Sequence, residues 1–271
     1  MLIDFHTHIF PERIAERALM KLTEGIKNTQ GYEILSPNTD GTLDGLRRSM
    51  KENCVDISVV MPIATTTGQS KSINAFAKEI TSEDIISFGS LHPYQEDADS
   101  VLEGICEMGL RGIKLHPEFQ GFFADEPVIF NIVKRAKSLG LFVTFHCGVD
   151  YGFHPPVRCT PERLARIIEK TGGENMICAH LGSFLLWEDV YKLIAGSPVY
   201  MDMSMTSGYI DKGLFRDIIK KHGADKILFG SDSPWQSPSQ SLALLSETAL
   251  TEEEKELIKY KNALQILKGG E

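Results

Sequence analysis

Two histidines stand in the first eight residues, in Asp4-Phe5-His6-Thr7-His8, and three further candidate ligands follow at long intervals. His146 closes the run Phe-Val-Thr-Phe-His-Cys-Gly, His180 closes Ile-Cys-Ala-His-Leu-Gly, and Asp232 lies in Leu-Phe-Gly-Ser-Asp-Ser-Pro-Trp. Imidazole nitrogens with a carboxylate form a borderline-hard donor set, suited to zinc and less selectively to manganese, iron or cobalt. Alternate residues of a strand share a face, so His6 and His8 can aim ring nitrogens at one ion. Alone, a His-x-His pair is equally well read as two buried imidazoles bonded to backbone carbonyls. For Asp232 alone, the competing reading is a helix N-cap ahead of Pro234. The joint presence of His146, His180 and Asp232 makes the metal site the better reading.

Lys114 and His116, in Gly112-Ile113-Lys114-Leu115-His116-Pro117, share a face by the same period of two, and one or the other is expected to touch a substrate anion. A strand-end hydrogen bond competes for His116. Arg158 carries a planar fork able to clamp a carboxylate, against the plainer reading of an exposed arginine. Trp235 serves equally as an aromatic wall or as packing. His92, His154, Arg47 and Arg48 are weaker pocket candidates. The five cysteines, Cys54, Cys106, Cys147, Cys159 and Cys178, are widely spaced without a Cys-x-x-Cys pair, so most read as small buried hydrophobes. Cys147 adjoins His146 but belongs to the opposite face of a strand, which argues against a catalytic thiol.

These side chains must be positioned by something regular. Eight short β-branched or aromatic runs alternate with helical periodicity: 2–5, 56–61, 85–89, 112–115, 141–146, 176–180, 198–203 and 226–230. From the second run on, starts advance by about 28 residues, close to the roughly 30 of a strand-crossover-strand unit. Eight such units predict a (β/α)8 barrel, and six of the eight histidines fall at or just past a strand's C-terminal end, where such barrels build active sites. Helices are predicted over 124–139, 163–170, 212–222 and 251–267, the second capped by Thr160 with Pro161 in its first turn. The long departure is 11–53, two helices joined by a Gly/Pro/Asn-rich connection over 31–41, an insertion after strand one that would overhang the mouth. The expectation is one domain over 1–271.

Acidic residues number 37 against 28 basic, a net charge of −9, which lacks the cationic surplus that nucleic-acid binding requires. No apolar run approaches the roughly 20 residues of a membrane span, and the start has no basic, signal-like region. The expected setting is cytoplasmic.

The whole pattern resembles the amidohydrolase superfamily: His-x-His on strand one, histidines ending strands five and six, and Gly-x-Asp-x-Pro after strand eight. Within it the chain is similar to the amidohydrolase-related branch that includes aminocarboxymuconate semialdehyde decarboxylase and several lactone hydrolases. The resemblance runs from residue 2 to the last barrel strand. It implies that His6, His8, His146 and Asp232 bind one divalent ion, zinc first and manganese second, and that His180 polarises substrate or moves a proton. Such an ion can lower the pKa of bound water from about 15.7 to about 7, with Asp232 taking the remaining proton. Some superfamily members instead carboxylate a strand-four lysine between two metals, which Lys114 leaves open. The resembled branch uses one metal, and one is expected.

The leading expectation is hydrolysis of an ester, lactone or amide bond in a small carboxylated substrate. Nonoxidative decarboxylation is the alternative, because both chemistries use the same ligand set. A non-catalytic binding barrel is the third reading, disfavoured because none of the five residues is missing. The resembled family often forms dimers, which leaves self-association through 11–53 open.

Overall fold

The structure, a computed structural model, describes residues 1–29 and 35–268. Strands and helices alternate along it: β1 (Ile3–Thr7), α1 (Glu12–Asn28), α2 (Leu43–Glu52), β2 (Ile57–Val60), α3 (Ser70–Ile80), β3 (Ile85–Ser87) and β4 (Gly89–Ser90). There follow α4 (Ala98–Glu107), β5 (Gly112–Leu115), α5 (Pro117–Gln120), α6 (Pro127–Ser138), β6 (Phe142–Phe145), α7 (Pro161–Thr171) and β7 (Met176–Cys178). The chain ends with α8 (Trp187–Leu193), β8 (Tyr200–Asp202), α9 (Lys212–His222), β9 (Ile227–Leu228), α10 (Pro238–Glu247), α11 (Glu252–Glu256), a π-helical stretch Leu257–Lys261, and α12 (Asn262–Lys268).

All eight anticipated strands are present and pair in parallel, in the orders β1-β2-β3 and β4-β5-β6-β7-β8-β9. The two groups join at both edges. β3 and β4 are halves of one stave separated only by Phe88, whose N–H donates to the Val60 carbonyl at 2.9 Å. At the other seam Phe5 N–H donates to Phe229 O, Asp232 N–H to His6 O and His8 N–H to Ser233 O, at 2.7–2.8 Å. A parallel bridge between Thr7 and Ser233 lies on the same seam. The result is the (β/α)8 architecture.

Apolar packing sits on two levels. The larger cluster joins stave residues such as Ile113, Leu115, Val143 and Phe145 to helix residues such as Leu102, Ile132, Leu164 and Phe215. A smaller one gathers Ile3, Phe5, Val59, Met61, Phe88, Ile177 and Leu228 with Ala263 and Ile266 of α12. Within it Phe5 meets Phe88 edge-on at 5.7 Å.

Helix starts follow local chemistry: Thr42 accepts from Gly45 N–H at 3.0 Å, Asp211 from Leu214 N–H at 3.0 Å, and Ser237 with Gln240 and Thr251 with Glu254 form capping boxes. Thr160 departs from expectation. It sits at the N-cap of α7 without a side-chain cap bond, and its hydroxyl pairs with the Glu162 carboxylate. The single helix predicted over 251–267 is also divided. The Ile258 carbonyl accepts from Phe229 N–H at 2.9 Å, and Asn262 Nδ2 donates to the carbonyls of Ala224 and Ile227 at 2.7 Å, so barrel contacts stand where the α-helical ladder is interrupted by the π stretch.

The insertion over 11–53 does form two helices, α1 and α2, while part of its connection, 31–34, lies outside the described residues. Beyond it, Asn38 N–H donates to Pro234 O at 2.8 Å, which ties the insertion to the loop after the eighth stave. No helix among the described residues is long and apolar enough to cross a membrane.

Candidate metal centre

β1 and the turn after β9 bring three of the candidate ligands together. His6 Nε2 lies 3.2 Å from His8 Nε2, and Asp232 Oδ1 is 3.3 Å from the former and 3.2 Å from the latter. The other ring nitrogens reveal the tautomers. His6 Nδ1 faces Asp202 Oδ2 at 2.9 Å and His8 Nδ1 faces the Met61 carbonyl at 2.8 Å, both pure acceptors, so each Nδ1 carries the proton and each Nε2 a lone pair. Two imidazole nitrogens and a carboxylate oxygen thus converge on one small volume, an arrangement that suits a cation between them. A tetrahedral site with bonds of about 2.0–2.1 Å has ligand-to-ligand edges of about 3.3–3.4 Å, so the triangle fits a zinc-sized ion.

Electrostatics agrees. Burial pushes the Asp232 carboxyl up, but the histidines around it, His6 foremost, outweigh that and bring it down to about 2. Burial, helped by the Lys114 charge, lowers His6 to about 4, so its ring stays neutral and able to ligate at neutral pH. Asp232 and His180 have left-handed backbone, φ +72° and +60°, conformations that cost of order 1 kcal/mol or more and gather at functional sites.

Lys114, fully buried on β5, places Nζ 3.1 Å from His6 Nε2. Burial lowers its pKa against the pull of Asp202 and Asp232. It therefore stands at the edge of the ligand triangle rather than on an open anion-binding surface.

His146 does not join the three. Its Nδ1 is 3.0 Å from His180 Nε2, its ring stacks on His116 at 4.1 Å and 11°, and its Nε2 has no hydrogen-bond partner among the described residues, with Asp150 Oδ2 at 4.0 Å. His116, His146 and Asp150 instead form a cluster of their own, in which His116 Nε2 is 3.4 Å from Asp150. His116 also caps α5, its Nδ1 facing Phe119 N–H at 3.4 Å.

His180 Nδ1 faces the Ser204 hydroxyl at 2.9 Å, and the same hydroxyl is 3.1 Å from His6 Nδ1 and donates to Asp202. His6, expected as a ligand, and His180, expected as the proton carrier, therefore share one partner.

The remaining candidates have contacts of their own, and Trp235 backbone N–H donates to the Asp232 carbonyl at 2.9 Å. The Arg158 guanidinium lies over the Phe123 ring at 5.0 Å, Trp235 packs on the main core, and Arg47 and Arg48 pair with Asp84 and Asp40. His92 Nδ1 faces Tyr94 N–H at 3.3 Å, and His154 is exposed. Cys147, Cys159 and Cys178 are buried and Cys54 and Cys106 exposed; Cys147 Sγ sits 3.8 Å from Cys159 Sγ. Sequence reading passed over Asp202, Ser204 and Asp150. For the first two the signal was available, since Asp202 ends a strand and Ser204 follows at the same period of two.

A closed parallel barrel with metal-competent histidines and an aspartate at its strand ends defines the class of metal-dependent barrel enzymes. The amidohydrolase family profile matches residues 3–269, and the chain belongs to that family. Comparison with curated protein sequences finds no match. Among solved structures it is similar to 5-carboxyvanillate decarboxylase from Sphingomonas paucimobilis, 14% identical with 98% of each chain covered and a TM-score of 0.71. It is also similar to a dihydroxybenzoic acid decarboxylase from Polaromonas with bound manganese and the inhibitor 2-nitroresorcinol, at 15% identity, 98% and 96% coverage and a TM-score of 0.68. A third is 5-carboxyvanillate decarboxylase from Novosphingobium aromaticivorans with bound manganese, at 13% identity, 99% and 97% coverage and a TM-score of 0.74. At these identities the likeness establishes the fold.

Proposed function

We propose that this protein is a metal-dependent nonoxidative decarboxylase of a small carboxylic acid, with a divalent ion, zinc or manganese, held by His6, His8 and Asp232. The observation that carries the metal is the triangle of three lone-pair groups with edges of 3.2–3.3 Å. Decarboxylation is favoured over hydrolysis by the whole-chain likeness to carboxyvanillate and dihydroxybenzoate decarboxylases. A bound ion supplies positive charge that orients and polarises the substrate's oxygens.

The reaction converts a carboxylate and one proton into carbon dioxide and a carbon–hydrogen bond. With its carboxyl near 2, Asp232 is ionised at neutral pH and is no proton store. The imidazole pair does not store a proton either, since burial and the neighbouring imidazoles hold His146 well below the ordinary histidine value, but it can relay one from solvent: His146 Nδ1–H points at His180 Nε2, and Ser204 steadies the far side of His180. His146 Nε2 is buried without a hydrogen-bond partner among the described residues, which keeps it available as a further ligand.

Hydrolysis is the second reading, supported by the family match and by an ionised Asp232 able to accept a proton from water. Headspace carbon dioxide from a panel of hydroxylated aromatic and muconate-like acids, run beside a panel of esters, lactones and amides, separates the two. Carbon dioxide release dependent on added zinc or manganese supports decarboxylation. Turnover confined to the second panel overturns it in favour of hydrolysis.

A further inference from the structure

Asp202, at the end of β8, lies outside the triangle of His6, His8 and Asp232 yet bears on two of the rings around it. We propose that Asp202 is a positioning residue that fixes which ring nitrogen of His6 and of His180 carries the proton, and so turns the His6 Nε2 lone pair toward the metal. The role rests on the metal site proposed above.

Asp202 and His6 have fully buried side chains, with Oδ2 of the former 2.9 Å from Nδ1 of the latter. Its Oδ1 receives the Ser204 hydroxyl and the backbone N–H groups of Ser204 at 3.1 Å and His180 at 3.3 Å. A carboxylate only accepts, so every group around it must donate. The single Ser204 proton is committed to Asp202, which leaves the Ser204 oxygen as acceptor for His180 Nδ1–H at 2.9 Å. Both rings are thereby held with Nδ1 protonated and Nε2 bare. For His6 the bare nitrogen faces the ligand triangle; for His180 it faces His146 Nδ1. A buried carboxylate behind a ligand imidazole raises its basicity and locks its ring, and loss of such a partner typically costs 10- to 100-fold in metal affinity.

Asp202→Asn is a sharp probe because an amide accepts on one side and donates on the other. With its oxygen on His6, its NH2 group meets Ser204, whose proton must turn to His180 Nδ1 and force the opposite tautomer there. With its NH2 group on His6, the proton of that ring moves to Nε2 and occupies the ligand position. Neither arrangement preserves both rings. Ser204→Ala removes only the His180 arm.

The test is zinc affinity by chelator competition, with the tautomers of both histidines read from long-range proton–nitrogen NMR correlations of 15N-histidine-labelled, zinc-loaded protein. Expected are Nδ1–H on His6 and His180 in the wild type, a 10- to 100-fold loss of zinc affinity in Asp202→Asn, and wild-type zinc affinity in Ser204→Ala with a changed His180 signal. Zinc-loaded wild type with His6 Nδ1 bare, or Asp202→Asn binding zinc as tightly as wild type, overturns the role of Asp202 alone. Wild type that takes up no zinc overturns the metal site itself. Should Asp202→Asn fail to fold, the wild-type spectrum and Ser204→Ala still decide.

Discussion

His8 and Asp232 contribute electron pairs to the same small volume, and each does so with its other polar contacts already committed to the barrel. Removing either should therefore remove the ion without remodelling the fold. His8→Ala and Asp232→Asn are expected to lose bound metal and turnover together, by elemental analysis of purified protein. His180→Ala should keep its metal while turnover falls by about 10²- to 10⁴-fold, the usual contribution of a positioned proton carrier. Release of the metal by His180→Ala would instead make His180 a ligand. Protons compete with the ion for His6, whose ring burial lowers to about 4, so metal content should hold at neutral pH and fall as pH drops toward about 4. Metal unchanged well below pH 4 would contradict ligation by imidazole. One ion per chain is expected; two, with the mass gain of a carbon dioxide adduct, would place a carboxylated Lys114 between them.

At the scale of elements, the site depends on close approaches that the strand ends alone do not provide. Gly148 follows β6 at φ +91° and bridges to Phe184, and an added Cβ would lie 2.2 Å from the Phe184 nitrogen and 2.4 Å from its oxygen. Gly148→Ala is expected to destabilise the protein by about 2 kcal/mol or more and to lower the melting temperature by several degrees. The β1–β2 pairing shifts register between Asp4 and Thr7, yet the two histidines still converge. The strand period in the sequence was thus a sound guide to the pair, while the irregularity came from pairing with a distant strand. His146 shows the opposite outcome. Its place at a strand end was legible, but stacking on His116 and the bond to His180 set its ring direction, and neither partner is near it in sequence.

For the molecule as a whole, burial leaves two carboxyls with pKa values pushed up to about 7, Asp4 at the β1 seam and Glu118 in the first turn of α5. Native protein holds those protons between about pH 4.5 and 7, where the unfolded chain has released them. The stability they contribute is complete below the unfolded values and is lost as pH rises through about 7. Glu118→Gln should therefore gain on wild type above pH 7, by about 3 kcal/mol at most, in denaturant melts run across pH. A difference flat from about pH 5 to 8 would show that Glu118 keeps an ordinary carboxyl.

The order of strands and helices, the barrel and the His-x-His pair were determined by the sequence alone, because side-chain period and turn chemistry are local properties. Only the tertiary structure decided which groups face which: Asp202 behind His6, Lys114 against the triangle, Arg158 over Phe123, His146 beside His180. Those relations depend on chain closure across 196 positions, as between His6 and Asp202, and on ring rotations that no local spacing encodes.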